Sequence, residues 1–226
     1  MPERRMTPTP KAILFDLDGT LFDRDTSFAD LVRAQYYAFA AALQTVPCAV
    51  FVRRVIELDD HGYVDKAVVY REVAEEFGLS KTMAEHLTAH FHRTYALFSR
   101  VFPEVPSALA VFRAHGLKLG IITNGSTPMQ EAKIRQLGIA DLLDEILISE
   151  REGLRKPDRR IFERALDRLG VEAAEAWYVG DHPIVDVRGA FDAGLTAVWR
   201  RTSYWQTPDV PCQQINTIDE LVRVLF

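Results

Sequence analysis

Cysteine is scarce in this chain of 226 residues: there are two, Cys48 and Cys212. They stand far apart, with no CxxC pair and no Cys/His ligand spacing, so neither a disulfide framework nor a zinc site is indicated. A reducing cytoplasm is the expected compartment. No apolar run approaches the ~20 residues of a membrane span. The opening MPERRMTPTP carries two arginines but no apolar segment behind them, so it reads as a flexible tail over 1–10 and not as a signal peptide. Positive charge is short as well. Lys and Arg number 27 against 32 Asp and Glu, a formal charge of −5, and no basic stripe stands out. Nonspecific nucleic-acid binding relies on a basic surface to displace counterions, and it is not expected here. Internal repeats and low-complexity segments are missing too. Hydrophobic residues at 48% and charged residues at 26% fit a globular protein long enough for one large domain or two modest ones.

Two rhythms divide the chain. From Asp25 to Ser99 the pattern is helical, with Phe28, Leu31, Val32, Gln35, Tyr36 and Phe39 at spacings of three and four. Pro47 breaks that helix, and Phe51, Val52, Val55 and Ile56 begin a second. Ala67, Val68, Ala74 and Phe77 carry a third, which Gly78 can cap, and Ser80 is a fitting N-cap for a fourth through Met83, Leu87 and Phe91. Four helices and no strand are expected there. Lys66 and Lys81, the lysines of this block, read as helix-surface residues, and Tyr63 as partly core. After FPEVP at 102–106 strands and helices alternate. Strands are expected at 117–123, 145–149, 176–180 and 195–199, with helices ending at Gly116, Gly138, Gly170 and Gly194 and a last one over Thr217 to Leu225.

Such alternation implies right-handed βαβ units, and hence an α/β fold: a Rossmann-like parallel sheet covered by helices on both faces. A further strand at 12–16 precedes the helical block, so the block is an insertion. The expected division is an α/β core of 11–23 with 100–226 and an all-helical cap of 24–99, joined near 23–24 and 99–103.

Residues 13–23 read ILFDLDGTLFD. Ile13, Leu14 and Phe15 are a short apolar run of buried-strand type that ends at Asp16. Asp16 and Asp18 point the same way at strand spacing, and two acids in one small volume need a cation or a proton between them. Ligands of an open parallel sheet bind at the strand carboxyl ends. Three more segments place reactive side chains there: ITNGST with Thr123, GLRKPD with Lys156, and GDHPIVD with Asp181 and Asp186. Each has a plain structural reading. DGT is common turn chemistry, Thr123 and Asn124 can shape a turn, Lys156 can be a solvated loop lysine, and Asp181 and Asp186 can cap and charge a helix start. Their shared location at strand carboxyl ends favours a site.

The chemistry that fits is phosphoryl transfer. Asp16 is the candidate nucleophile. Mg²⁺ held by Asp16, Asp181 and a backbone carbonyl near Asp18 would offset the carboxylates, with Lys156 adding one more positive charge. Asp18, held protonated by its acidic neighbours and the bound anion, would protonate the leaving oxygen and later deprotonate water. Thr123 and main-chain amides around Gly19, Thr20, Asn124 and Gly125 would hold the phosphoryl oxygens. Asp186 would orient Lys156 or a metal-bound water. His182 is expected to face solvent.

DLDGT at 16–20, ITNG at 122–125, RKPD at 155–158 and GDHPIVD at 180–186 resemble, in order, the four signature motifs of the haloacid dehalogenase-like superfamily of aspartyl-phosphate hydrolases. The resemblance implies Asp16 as nucleophile and Asp18 as acid/base that also lends its carbonyl to Mg²⁺. It also implies Thr123 as phosphate-binding hydroxyl, Lys156 as charge-stabilising lysine and Asp181 as metal ligand, with the 24–99 block as a cap over substrate. The family's dehalogenases lack the second aspartate, so Asp18 favours a phosphatase acting on a small phosphorylated metabolite such as a nucleoside monophosphate or sugar phosphate. A phosphomutase would keep the same residues, and a catalytically idle phospholigand-binding domain is the remaining alternative. The residues do not disclose the oligomeric state.

Overall fold

Ala12, Ile13, Leu14 and Phe15 are all fully buried, as expected of a strand covered on both faces, where alternation gives way to a continuous apolar run. They form β1 (Ala12–Phe15) in the computed structural model, which describes residues 9–226. Of the expected tail, residues 1–8 lie outside the described residues. Pro10 does not belong to it: it is buried, and Lys11 N–H donates to the Glu175 carbonyl beside β1.

Two compact units follow from the chain's contacts, one of residues up to Phe22 with Val101–Phe226 and one of Asp23–Arg100. The second unit is helical: α1 (Arg24–Ala38), α2 (Ala40–Leu43), α3 (Cys48–Asp59), α4 (Lys66–Glu76) and α5 (Lys81–Thr94). The first expected helix is broken at Phe39, before Pro47, which instead precedes α3 in extended conformation. Ser80 caps α5 by accepting from the Met83 amide at 3.1 Å. Lys66 is a correction to the surface reading. It is 8% exposed and pairs with Asp59, as Arg24 also does, with its ammonium 5.6 Å from the Phe28 ring and 5.5 Å from Phe91. Periodicity marked the helix but not which of its faces would be covered. Tyr63 departs the other way and is 56% exposed, just after Asp60 and His61, which have left-handed backbone.

The α/β unit continues with α6 (Val105–Ala114), β2 (Lys118–Thr123), α7 (Thr127–Leu137), β3 (Glu145–Ile148), α8 (Ser149–Glu152) and α9 (Arg159–Leu169). Then come β4 (Ala176–Gly180), a π-helical turn (Pro183–Arg188), α10 (Gly189–Asp192), β5 (Thr196–Arg200), β6 (Gln213–Ile215) and α11 (Ile218–Leu225). The six strands are parallel in the order β3-β2-β1-β4-β5-β6. β6 was not expected from the sequence. Its segment QQI is short and polar, and it pairs only at the sheet edge.

On one face of the sheet Leu14, Ile122, Leu147 and Tyr178 pack with Ile161, Phe162 and Leu166 of α9; on the other, Phe15 stacks on Phe112 of α6 with ring centroids 6.3 Å apart. Each large side chain so buried contributes roughly 1.5–3 kcal/mol. The order reverses at β1, with β2 on one side and β4 on the other. This is the switch point, where the connections diverge and leave a crevice at the strand carboxyl ends.

Candidate active site

Asp16 lies one residue past β1 and stays tied to the sheet, its N–H donating to the Val179 carbonyl at 2.9 Å. Lys156 lies 140 residues further along the chain. Its ammonium donates to Asp16 Oδ1 at 2.6 Å, Asp186 Oδ1 at 2.7 Å and the Tyr178 hydroxyl at 2.9 Å, so all three donors of the lysine are used. Its loop is fixed by a reciprocal pair: Lys156 N–H donates to Asn124 Oδ1 at 2.9 Å and Asn124 Nδ2 returns to the Lys156 carbonyl at 3.0 Å. Burial would lower the Lys156 pKa, but the carboxylates of Asp16 and Asp186 outweigh it and push the value up to about 12. The lysine is a fixed cation.

Asp181 follows β4, and its carbonyl accepts from Trp199 Nε1 at 2.7 Å. Gly19 turns beneath it at φ +87°, and a Cβ there would meet Asp181 Oδ2 at 2.7 Å, so the turn admits only glycine. The Gly19 carbonyl accepts from Arg200 Nη1 at 2.9 Å, and that guanidinium lies 3.8 Å over the Phe102 ring. Asp16, Asp181 and Asp186 each offer a carboxylate oxygen within 4.8 Å of the others, all buried. Burial, with Lys156 opposing and Asp186 and Asp18 reinforcing, pushes the Asp16 carboxyl up to about 7. Burial together with Asp16 and Asp186 raises Asp181 well above the carboxylate range. Three carboxylates around one ammonium suit a hard divalent cation with oxygen ligands. Asp186 is already committed, Oδ1 to Lys156 and Oδ2 to the His182 N–H at 3.1 Å. This leaves Asp16 and Asp181 as the carboxylates for a metal.

Thr123 ends β2 and is buried. Gln130 Nε2 donates to its hydroxyl at 2.6 Å and to Asp18 Oδ2 at 2.8 Å, while Lys133 Nζ donates to Asp18 Oδ1 at 2.6 Å. Both Asp18 oxygens therefore accept a hydrogen bond. Lys133 was not counted among the charges expected around Asp18.

Asp16, Lys156, Asp181 and Asp186 are thus brought together, and Asp18 is linked to Thr123 through Gln130. The side chain of Asn124 is occupied by Lys156, and Gly125 N–H donates to Ser149 Oγ at 3.0 Å. The Thr20 hydroxyl is buried and, among the described residues, has no hydrogen-bond partner. Two structural readings are corrected. His182, not Asp181, caps the π-helical turn: its Nδ1 accepts from the Ile184 and Val185 amides at 3.1 and 3.0 Å, and its ring lies 4.5 Å from that of Trp205. His182 is therefore half-buried, not solvent-facing. Tyr178, Gln130, Lys133 and Arg200 were missed. The i, i+3 spacing of Gln130 and Lys133 after the ITNG motif was the one available signal.

Residues 10–194 match the family model of the haloacid dehalogenase-like hydrolases. Among similar proteins, a glyceraldehyde 3-phosphate phosphatase of Methanopyrus kandleri is 31% identical, over 95% of this chain and 97% of that protein. A phosphoserine phosphatase of Thermus thermophilus is 41% identical over 58% of this chain and 52% of its own length. Among solved structures, the HAD-hydrolase YfnB of Bacillus subtilis, bound to magnesium, superposes with a TM-score of 0.78 at 21% identity, covering 96% of this chain and 98% of that one.

Proposed function

From the premise that the chain belongs to the haloacid dehalogenase-like hydrolases, we propose a covalent route for it in which Asp16 is the nucleophile. The protein is a phosphatase, a phosphoric monoester hydrolase acting on a small phosphorylated metabolite. Asp16 attacks phosphorus, the ester P–O bond breaks, and an aspartyl phosphate forms. Asp18 gives its proton to the leaving oxygen, then as a carboxylate takes a proton from the water that attacks the aspartyl phosphate, freeing phosphate and restoring Asp16. Two negative charges arriving with the substrate dianion favour proton uptake by Asp18.

Lys156 holds Asp16 at a fixed orientation and balances charge on the phosphoryl oxygens. Thr123 accepts from Gln130 and so keeps its own hydroxyl proton for a phosphoryl oxygen. Asp186, which receives Lys156 and the His182 amide, sets the position of the lysine. Mg²⁺, held by Asp16, Asp181 and the Asp18 carbonyl, would supply the positive charge that the acids lack and polarise the phosphoryl group. Two free thiols, Cys48 and Cys212, favour a cytoplasmic setting.

The observation that carries this reading is the buried Lys156 bridging Asp16 and Asp186 with Asp181 within 4.8 Å. Release of inorganic phosphate from p-nitrophenyl phosphate tests it. Activity is expected with Mg²⁺, and none with Asp16→Asn or with chelator. Activity surviving in Asp16→Asn refutes the covalent route, and conversion of hexose 1-phosphate to 6-phosphate without phosphate release would show a mutase instead.

A further inference from the structure

Lys133 and Gln130 stand one turn apart on α7, and neither behaves as a helix-surface residue. They are 5% and 2% exposed. Burying an ammonium is costly unless an anion meets it, and here the anion is Asp18, 115 residues away in sequence. The same ammonium lies 5.3 Å from the ring centre of Phe22, which is fully buried, so it sits between an aromatic face and a carboxylate. Gln130 meets three acceptors: Asp18 Oδ2, the Thr123 hydroxyl and, at 3.4 Å, the Asn124 carbonyl. A carboxylate and a carbonyl only accept, so it is the amide nitrogen of Gln130 that faces them.

The two side chains together occupy both oxygens of Asp18. A carboxylate held by one oxygen can still swivel; one held by both cannot. We propose that Gln130 and Lys133 are positioning residues that fix the Asp18 carboxyl group for proton transfer to and from the ester oxygen. Gln130 also sets the direction of the Thr123 hydroxyl proton, so that acid/base group and phosphate-binding hydroxyl share one support. This rests on the reading of Asp18 as the acid/base. Proton transfer tolerates little misplacement, since donor and acceptor must meet within hydrogen-bond reach. The role is therefore visible in how rate depends on the leaving group. An acidic phenol departs without help; a more basic one needs its proton delivered.

The experiment measures kcat/KM for p-nitrophenyl phosphate and phenyl phosphate, esters of nearly the same size, in the wild type and in Lys133→Met, Gln130→Met, Lys133→Arg and Asp18→Asn. The expected result is that the phenyl to p-nitrophenyl ratio falls about tenfold or more in Lys133→Met and Gln130→Met, in the same direction as in Asp18→Asn, given the ~10²–10⁴-fold weight of general acid catalysis. Lys133→Arg, which keeps charge and reach, should stay closest to the wild type. Circular dichroism and the melting temperature of each variant serve as the control for folding. If Lys133→Met does not fold, Gln130→Met and Lys133→Arg carry the comparison. A steep ratio in Asp18→Asn with an unchanged ratio in the Gln130 and Lys133 variants overturns the positioning role and leaves the acid/base reading standing. A rise in KM alone overturns it too, by making these residues substrate contacts. An unchanged ratio in Asp18→Asn removes the acid/base reading and this inference with it.

Discussion

Replacing Asp16 by asparagine removes one of three carboxylates packed around a single ammonium, and its effect on stability should depend on pH and on metal. Burial raises the Asp16 carboxyl from 3.8 to about 7, against the pull of Lys156. An acid whose folded pKa lies above its unfolded value binds its proton more tightly in the folded state. It therefore stabilises the fold at low pH, and that contribution is lost as pH rises through the folded value. The window here runs from near 4 to near 7. At about 1.4 kcal/mol per pH unit, the protein without a metal cation gives up about 4 kcal/mol across it. Asparagine does not ionise and escapes that loss. Its gap over the wild type equals that loss, because the value of about 7 already includes the charge and hydrogen bond of Lys156. With chelator at about pH 8, Asp16→Asn should be the more stable protein by about 4 kcal/mol, and near pH 5 the advantage should shrink to about 1–2 kcal/mol. Mg²⁺ narrows the gap. At a concentration about a hundredfold above Kd it adds about 2.7 kcal/mol to the wild type, and less to the variant, which has lost a ligand. Urea titration followed by tryptophan fluorescence reads this, because Trp177 and Trp199 are buried in the sheet. A variant less stable than the wild type at the higher pH, or an advantage that does not change with pH, would refute the reasoning.

Lys156→Met should abolish phosphatase activity and lower stability by about 3–5 kcal/mol above neutral pH, because it leaves buried carboxylates without their cation; denaturant unfolding with chelator checks it. Gly180→Ala places a Cβ on the Asp186 side chain. It should cost about 1–3 kcal/mol in melting experiments and depress Vmax, since Asp186 cannot move without taking Lys156 along. The His182 pKa is lowered by burial, and its neutral Nδ1 caps the π-helical turn, so the stability it contributes is present above the ordinary histidine value and lost as pH falls through the folded one. His182→Asn keeps a cap acceptor that does not titrate, so its melting temperature should fall less than that of the wild type on acidification; an equal fall would show that the cap is not the acid-sensitive element.

Much of the α/β unit was legible because buried parallel strands write themselves as short apolar runs. AILF, KLGIIT, EILI and AWYVG could hardly be anything else between helices ending at Gly116, Gly138 and Gly170. QQI at 213–215 carries no such mark, since an edge strand needs only a free neighbour to pair with. In the helical unit, Ser80 announced α5 by its capping chemistry, whereas Lys66 looked like any other helix lysine. Its burial against Asp59, Phe28 and Phe91 depends on three other segments.

The sequence alone determined which chemistry was possible, because the residue types at four strand ends were the ones phosphoryl transfer uses, and strand ends are set by local pattern. Only the tertiary structure decided how those groups are tied together. Tyr178 entered the lysine network because β4 turns that side chain to the face where Lys156 and Asp186 lie. Gln130 and Lys133 reached Asp18 because α7 packs with that face inward. Side-chain direction on a packed element is fixed by what covers it, and that information is spread over the whole chain and held in no single stretch of it.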